Sequence, residues 1–189
     1  MKKLTIVLFA AILGMVMASC SLIESPKDKI MNRCNDYFKD VEHELEDINT
    51  GEDFMVFWEI VSEERKGMAE QLFADYLDKD GNIIGIDEKE LEDIQNSIYE
   101  RATAYNNVES TKFSELFVPE LDEYEKILNI VYNKMQKGEV PSDGEIEAYY
   151  KADERIDIYK EYDNVPRDIN ERYINMIEKI NFVNGIMYE

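Results

Sequence analysis

Apolar residues in this chain recur at steps of four and three, segment after segment, and that spacing constrains the fold more than any other feature. An α-helix turns once in 3.6 residues, so such steps lay one apolar stripe along one helix face. The first segment carries Ile30, Cys34, Tyr37, Val41, Leu45 and Ile48, and Asn49-Thr50-Gly51 reads as its stop. The second carries Phe54, Phe57, Trp58, Val61, Met68, Leu72 and Tyr76, with its stripe interrupted at Arg65. A third begins near Asp87 and places Leu91, Ile94, Ile98, Ala102 and Tyr105 on one face. The polar stretch 106–112 reads as a loop. A fourth segment, with Pro119 in its first turn, carries Phe117, Leu121, Tyr124, Leu128, Val131 and Met135 and ends at Lys137-Gly138. A fifth starts at Pro141-Ser142-Asp143 with Ile146, Tyr149, Ile156, Tyr159 and Tyr162 inward, and Val165-Pro166 breaks it. The last buries Ile169, Tyr173, Met176, Ile180, Val183 and Met187. Nothing alternates as a half-buried strand would, and no solenoid repeat occurs. Stripes near a 3.5-residue period favour shallow crossing angles. The expectation is an all-α fold, an antiparallel helical bundle of about six helical segments. Eight Phe and twelve Tyr give it enough apolar surface to fold despite its charge.

Residues 1–20 are of another kind. Lys2-Lys3 precede an apolar run from Leu4 to Ala18, interrupted by Thr5 and Gly14, and Ser19-Cys20 follow. The run is short for a membrane span and has the layout of a secretory signal. Its end, Met17-Ala18-Ser19-Cys20, resembles the lipobox of bacterial lipoproteins, with Met17 where Leu is usual. The resemblance implies cleavage before Cys20 and lipidation of Cys20 by a thioether-linked diacylglycerol and a third acyl chain. Two or more chains hold a protein stably on a membrane. The expected organisation is a signal peptide over 1–19, a lipidated cysteine and short tether over 20–27, and a single helical bundle domain over 28–189. Fully extended, residues 21–27 span at most ~23 Å, so the domain would sit close to the bilayer. Some surface-exported lipoproteins carry an acidic run just after the cysteine; here Ser21-Leu22-Ile23-Glu24 follows. The expected location is the bacterial cell envelope, with periplasmic and surface faces both open.

Charge narrows the partners. The chain holds 42 acidic and 21 basic residues, a net charge of −21. Such a surface repels phosphates, so no nucleic-acid partner is expected. The membrane, through the lipid anchor, is the expected partner; a protein or small-molecule partner is implied only in general terms. With Cys20 lipidated, Cys34 is left alone, which excludes a disulfide within the chain and suggests a buried thiol. His43 is the single histidine, and Asp40 lies three residues before it. A di-metal site in a bundle needs such a pair from each of two helices, and His43 falls off the stripe between Val41 and Leu45, so it reads as a solvated side chain. No Gly-x-Ser-x-Gly elbow and no phosphate-cradling glycine loop occurs. The tyrosines 149, 150, 159 and 162 read as core packing with hydroxyls at the rim rather than as a sugar platform. No catalytic residue is expected.

One loop carries a sharper pattern. Asp78, Asp80 and Asn82 alternate between two helical segments, and Glu90 follows. The arrangement resembles an EF-hand calcium loop, in which oxygens at the first, third and fifth positions face the ion. The resemblance implies a calcium site from Asp78, Asp80, Asn82, the backbone carbonyl of Ile84, and Glu90. Ile83 stands where that motif has Gly, and Lys89 holds the twelfth position, so Glu90 fits only with one residue inserted. A solvated turn joining two helices is the competing reading. The leading functional expectation is therefore a lipid-anchored, non-enzymatic binding or scaffolding domain. The alternative is a calcium-binding or calcium-stabilised version of it.

Overall fold

The computed structural model describes residues 24–187. Among them are five α-helices and two short 3₁₀ turns: α1 (Pro26–Glu46), α2 (Gly51–Leu72), α3 (Glu88–Gln136), α4 (Asp143–Asp157) and α5 (Arg167–Met187), with the turns at Ala74–Tyr76 and Ile158–Glu161. The all-α antiparallel bundle is as the periodicity indicates. Its segment count is lower by one, because the expected third and fourth segments are a single helix.

That helix, α3, is the spine. It is 49 residues long, which at 1.5 Å per residue makes about 73 Å. Its first half packs on α1 and α2, and its second half on α4 and α5. Side-chain pairs set the directions. Phe38 meets Tyr105 and the Lys112 ammonium donates to the Glu46 carbonyl, so α1 runs parallel to α3. Phe54 meets Phe113 while Arg65 reaches Asn106, so α2 runs back. Beyond the middle, Lys134 pairs with Glu145 and Glu123 with Arg155, so α4 is antiparallel to the spine. Arg172 pairs with Asp122 and Glu125, and Lys179 donates to Asn129, so α5 is parallel to it again. The result is two three-helix units end to end, sharing α3.

Two readings of the sequence are corrected at the centre of the spine. Residues 106–112 are helical rather than a loop. Tyr105, Glu109, Phe113 and Phe117 continue one face at steps of four and all are buried, so packing on that face holds the polar stretch in the helix. Pro119 lies inside α3 rather than in a first turn. It removes one helical N–H donor, and burial of Phe117 and Leu121 on either side carries the helix across.

Local signals set the other boundaries. Ser25 caps α1, its hydroxyl accepting from the Asp28 N–H at 3.1 Å, with Pro26 in the first turn, so the helix starts two residues earlier than expected. Thr50 belongs to the next helix instead of stopping the first: its hydroxyl accepts from the Asp53 N–H at 3.1 Å and caps α2. Ser142 and Glu145 form a capping box at α4. Hydrogen bonds from Lys134 and then Ser142 hold the Glu145 carboxyl down at about 2. Gly138, at φ 73°, ends α3 in the left-handed conformation.

Most stripe residues are buried as their spacing indicates, from Ile30 to Val183. On α1 the stripe shifts by one residue: Phe38 is buried, and Tyr37 is half-buried. Cys34 is fully buried, and burial pushes its thiol up, against the lowering pull of Arg101. A thiol reagent is therefore expected to label Cys34 slowly in native buffer and fast in denaturant. Rapid native labelling would rotate α1 relative to the spine.

Candidate functional site

The loop singled out by the sequence folds as a tight turn. The Asp78 N–H donates to the Asn82 carbonyl, Leu77 bridges to Ile83, and the Ile84 N–H donates to the Tyr76 carbonyl. One carboxylate oxygen of Asp78 accepts from the N–H groups of Asp80 at 2.8 Å and Asn82 at 2.9 Å, and the Asn82 side chain donates to both Asp78 oxygens. These bonds, led by the Asn82 backbone N–H, hold the Asp78 carboxyl below its usual range. Gly81 and Gly85 take positive φ, 83° and 77°, the conformation that the turn needs and that side chains resist. Asp87 caps α3 by accepting from the Glu90 N–H at 2.9 Å. Ile84 is exposed at the turn's edge.

Among the described residues no three His, Cys, Asp or Glu side chains converge as a metal site would require. The hydrogen bonds to Asp78 close the turn with its own donors. The expected result is that calcium and magnesium raise the melting temperature equally, as screening of a chain of net charge −21. A calcium-selective rise that disappears in Asp78→Ala and Glu90→Gln would instead support the EF-hand reading.

His43 is exposed on α1, with its Nδ1 3.7 Å from Glu46. Cys20 lies outside the described residues. The recesses among them include an open groove of about 500 Å³ between α3 and α4 that includes Glu123, Lys151 and Arg155, and an apolar one of about 180 Å³ that includes Phe117, Ile169 and Tyr173.

The most elaborate constellation is one the sequence reading missed, at the joint between the two units. Glu109 is 0 % exposed. Its carboxylate accepts from the Arg65 guanidinium at 3.0 Å, the Tyr105 hydroxyl at 3.1 Å, the Tyr162 hydroxyl at 3.2 Å and the Asn164 amide at 3.5 Å. The Arg65 guanidinium lies 4.5 Å from the Tyr105 ring centroid, over its face. Burial first, then the Glu109 charge, pushes the Tyr105 and Tyr162 hydroxyls above their usual range, so both stay protonated donors. Burial, followed by the Glu64 charge, pushes Tyr37 up to about 12.

Around this polar centre Phe113 stacks on Tyr162 at 4.4 Å, Phe54 and Trp58 meet Tyr162 edge-on, and Phe117 packs on Tyr159 at 4.3 Å. Gly51 lets the 3₁₀ turn approach: a methyl group there would lie 1.9 Å from the Tyr159 hydroxyl oxygen. A carboxylate with four donors is satisfied and fixed in place. The node ties α2, α3 and the α4–α5 connection together, which makes it a lock between the units. The interruption at Arg65 on the second segment is one signal in the sequence; the other, Glu109 four residues after Tyr105, is hidden in the stretch that reads as a loop. Comparison with protein-family models, with curated proteins and with solved structures finds no match for the chain.

Proposed function

We propose that this chain is a lipid-anchored helical rod of a bacterial envelope, acting as a binding or scaffolding element and held to the membrane through Cys20. The observation that carries the reading is the closeness of Cys20 to the fold: Ser25 and Pro26 already form the capped start of α1, so only a few residues separate the lipidation candidate from a packed helix. No helix among the described residues is long and apolar enough to cross a membrane, so lipid on Cys20 supplies the attachment in this reading. The interior supports a scaffolding role. Aromatic side chains and the Glu109 node fill the joint and hold the two units in one geometry, as a spacer requires.

Metabolic labelling with a radioactive fatty acid tests the anchor. The wild type is expected to take up label and fractionate with membranes, and Cys20→Ser to do neither. Equal labelling of the two would overturn the anchor, and with it the envelope-rod reading.

A further inference from the structure

We propose that the rod has a fixed polarity on the bilayer: the end formed by the α1 N-terminus, the α2 C-terminus and the 73–87 turn opposes the lipid headgroups, and the α3–α4 turn is carried outward. The inference rests on lipidation of Cys20, and extends it from attachment to orientation.

Topology gathers these segments at one end. Arg33, two turns into α1, donates to the Leu72 carbonyl at 3.4 Å and pairs with Asp75, so the start of α1 sits beside the end of α2. The 73–87 turn leaves from there and Asp87 starts α3. Cys20 precedes Ser25 by five residues, and an extended chain covers about 3.3–3.6 Å per residue, so this end lies within about 20 Å of the lipid. The opposite end of α3 is about 73 Å away along the helix.

Charge decides between standing and lying. A rod on its side would bring more of a chain of net charge −21 within a Debye length of the headgroups, about 8–10 Å, and an anionic membrane repels it. An upright rod brings only its end that close. At that end Ile84 is 53 % exposed, an apolar side chain at the edge of the turn. At the far end Val140 is 86 % exposed beside Gly138, well placed to meet a partner away from the membrane.

The test uses the lipidated mature chain, starting at Cys20, in vesicles of phosphatidylcholine and phosphatidylglycerol with a nitroxide quencher on the headgroups. In a Cys34→Ala background with unchanged circular dichroism, a fluorophore is placed at Ile84→Cys or at Val140→Cys. The Ile84 probe is expected to be quenched several-fold more strongly than the Val140 probe. Equal quenching, stronger quenching at Val140, or quenching at neither position would overturn the polarity. Flotation of the same samples separates the two claims: protein that stays at the bottom of the gradient shows that the anchor has failed and takes the orientation with it, whereas floating protein with the wrong quenching pattern overturns the orientation alone.

Discussion

Phe113→Ala is expected to destabilise the protein by about 3–5 kcal/mol, the range for an aromatic side chain removed from a packed core. Phe113 is fully buried on the spine where the two units meet. Its ring contacts Phe54 of α2 at 5.7 Å, Phe117 at 5.0 Å, and Tyr159 and Tyr162 of the α4–α5 connection at 5.5 and 4.4 Å. These partners come from different elements, so no single rotation closes the void that alanine leaves. Urea unfolding measures the cost, and the single tryptophan reports on the site, since Trp58 meets Tyr162 edge-on at 5.7 Å. Fluorescence at Trp58 and circular dichroism are expected to trace one transition in the wild type and two in the variant, as the halves uncouple. A loss below about 1 kcal/mol, the level of an ordinary substitution, would mean that the joint is loosely packed.

Arg65→Met is the second large effect, also about 3–5 kcal/mol, because it leaves a buried carboxylate without its cation. Glu109 has no exposure, whereas the Arg65 side chain is 24 % exposed, so the harm is asymmetric. Removing the arginine strands a charge that cannot reach water, and the remaining hydroxyls and the amide do not neutralise it. Methionine keeps much of the apolar stem but loses the guanidinium that lies over Tyr105. Adding Glu109→Gln to Arg65→Met removes the stranded charge and is expected to recover part of the loss. A double-mutant cycle by chemical denaturation checks this. If Glu109→Gln restores nothing, the guanidinium acts through packing rather than charge.

Helix existence was legible because burial reinforces a periodicity that the sequence carries by itself. Ile30, Cys34, Val41 and Leu45 lie on one face whatever they pack against, and all four are buried. Turn chemistry was equally legible where it is local: Ser142 with Glu145, and Gly138 after Lys137, act within a few residues of themselves. The candidate site was far less legible. Arg65 and Glu109 are 44 residues apart; the first interrupts the second stripe, and the second lies in the polar stretch that reads as a loop. Only contact between α2 and α3 makes them one pair.

By itself, then, the sequence determined the class of fold, most of the helix faces, the start and stop of α3, the start of α4 and the excess of negative charge, since each depends on neighbours within about one helical turn or on composition alone. Tertiary structure decided that α3 runs unbroken through 106–112 and past Pro119, that Phe38 rather than Tyr37 fills the α1 interface, and that the Asp78 turn closes on its own backbone. It also decided that a buried carboxylate joins the two halves. The reason is energetic: local propensity differs by less than about 1 kcal/mol per residue for ordinary side chains, whereas burying one large apolar side chain contributes about 1.5–3 kcal/mol. Where packing and propensity disagree, as along the polar stretch that carries Glu109 between Tyr105 and Phe113, packing wins.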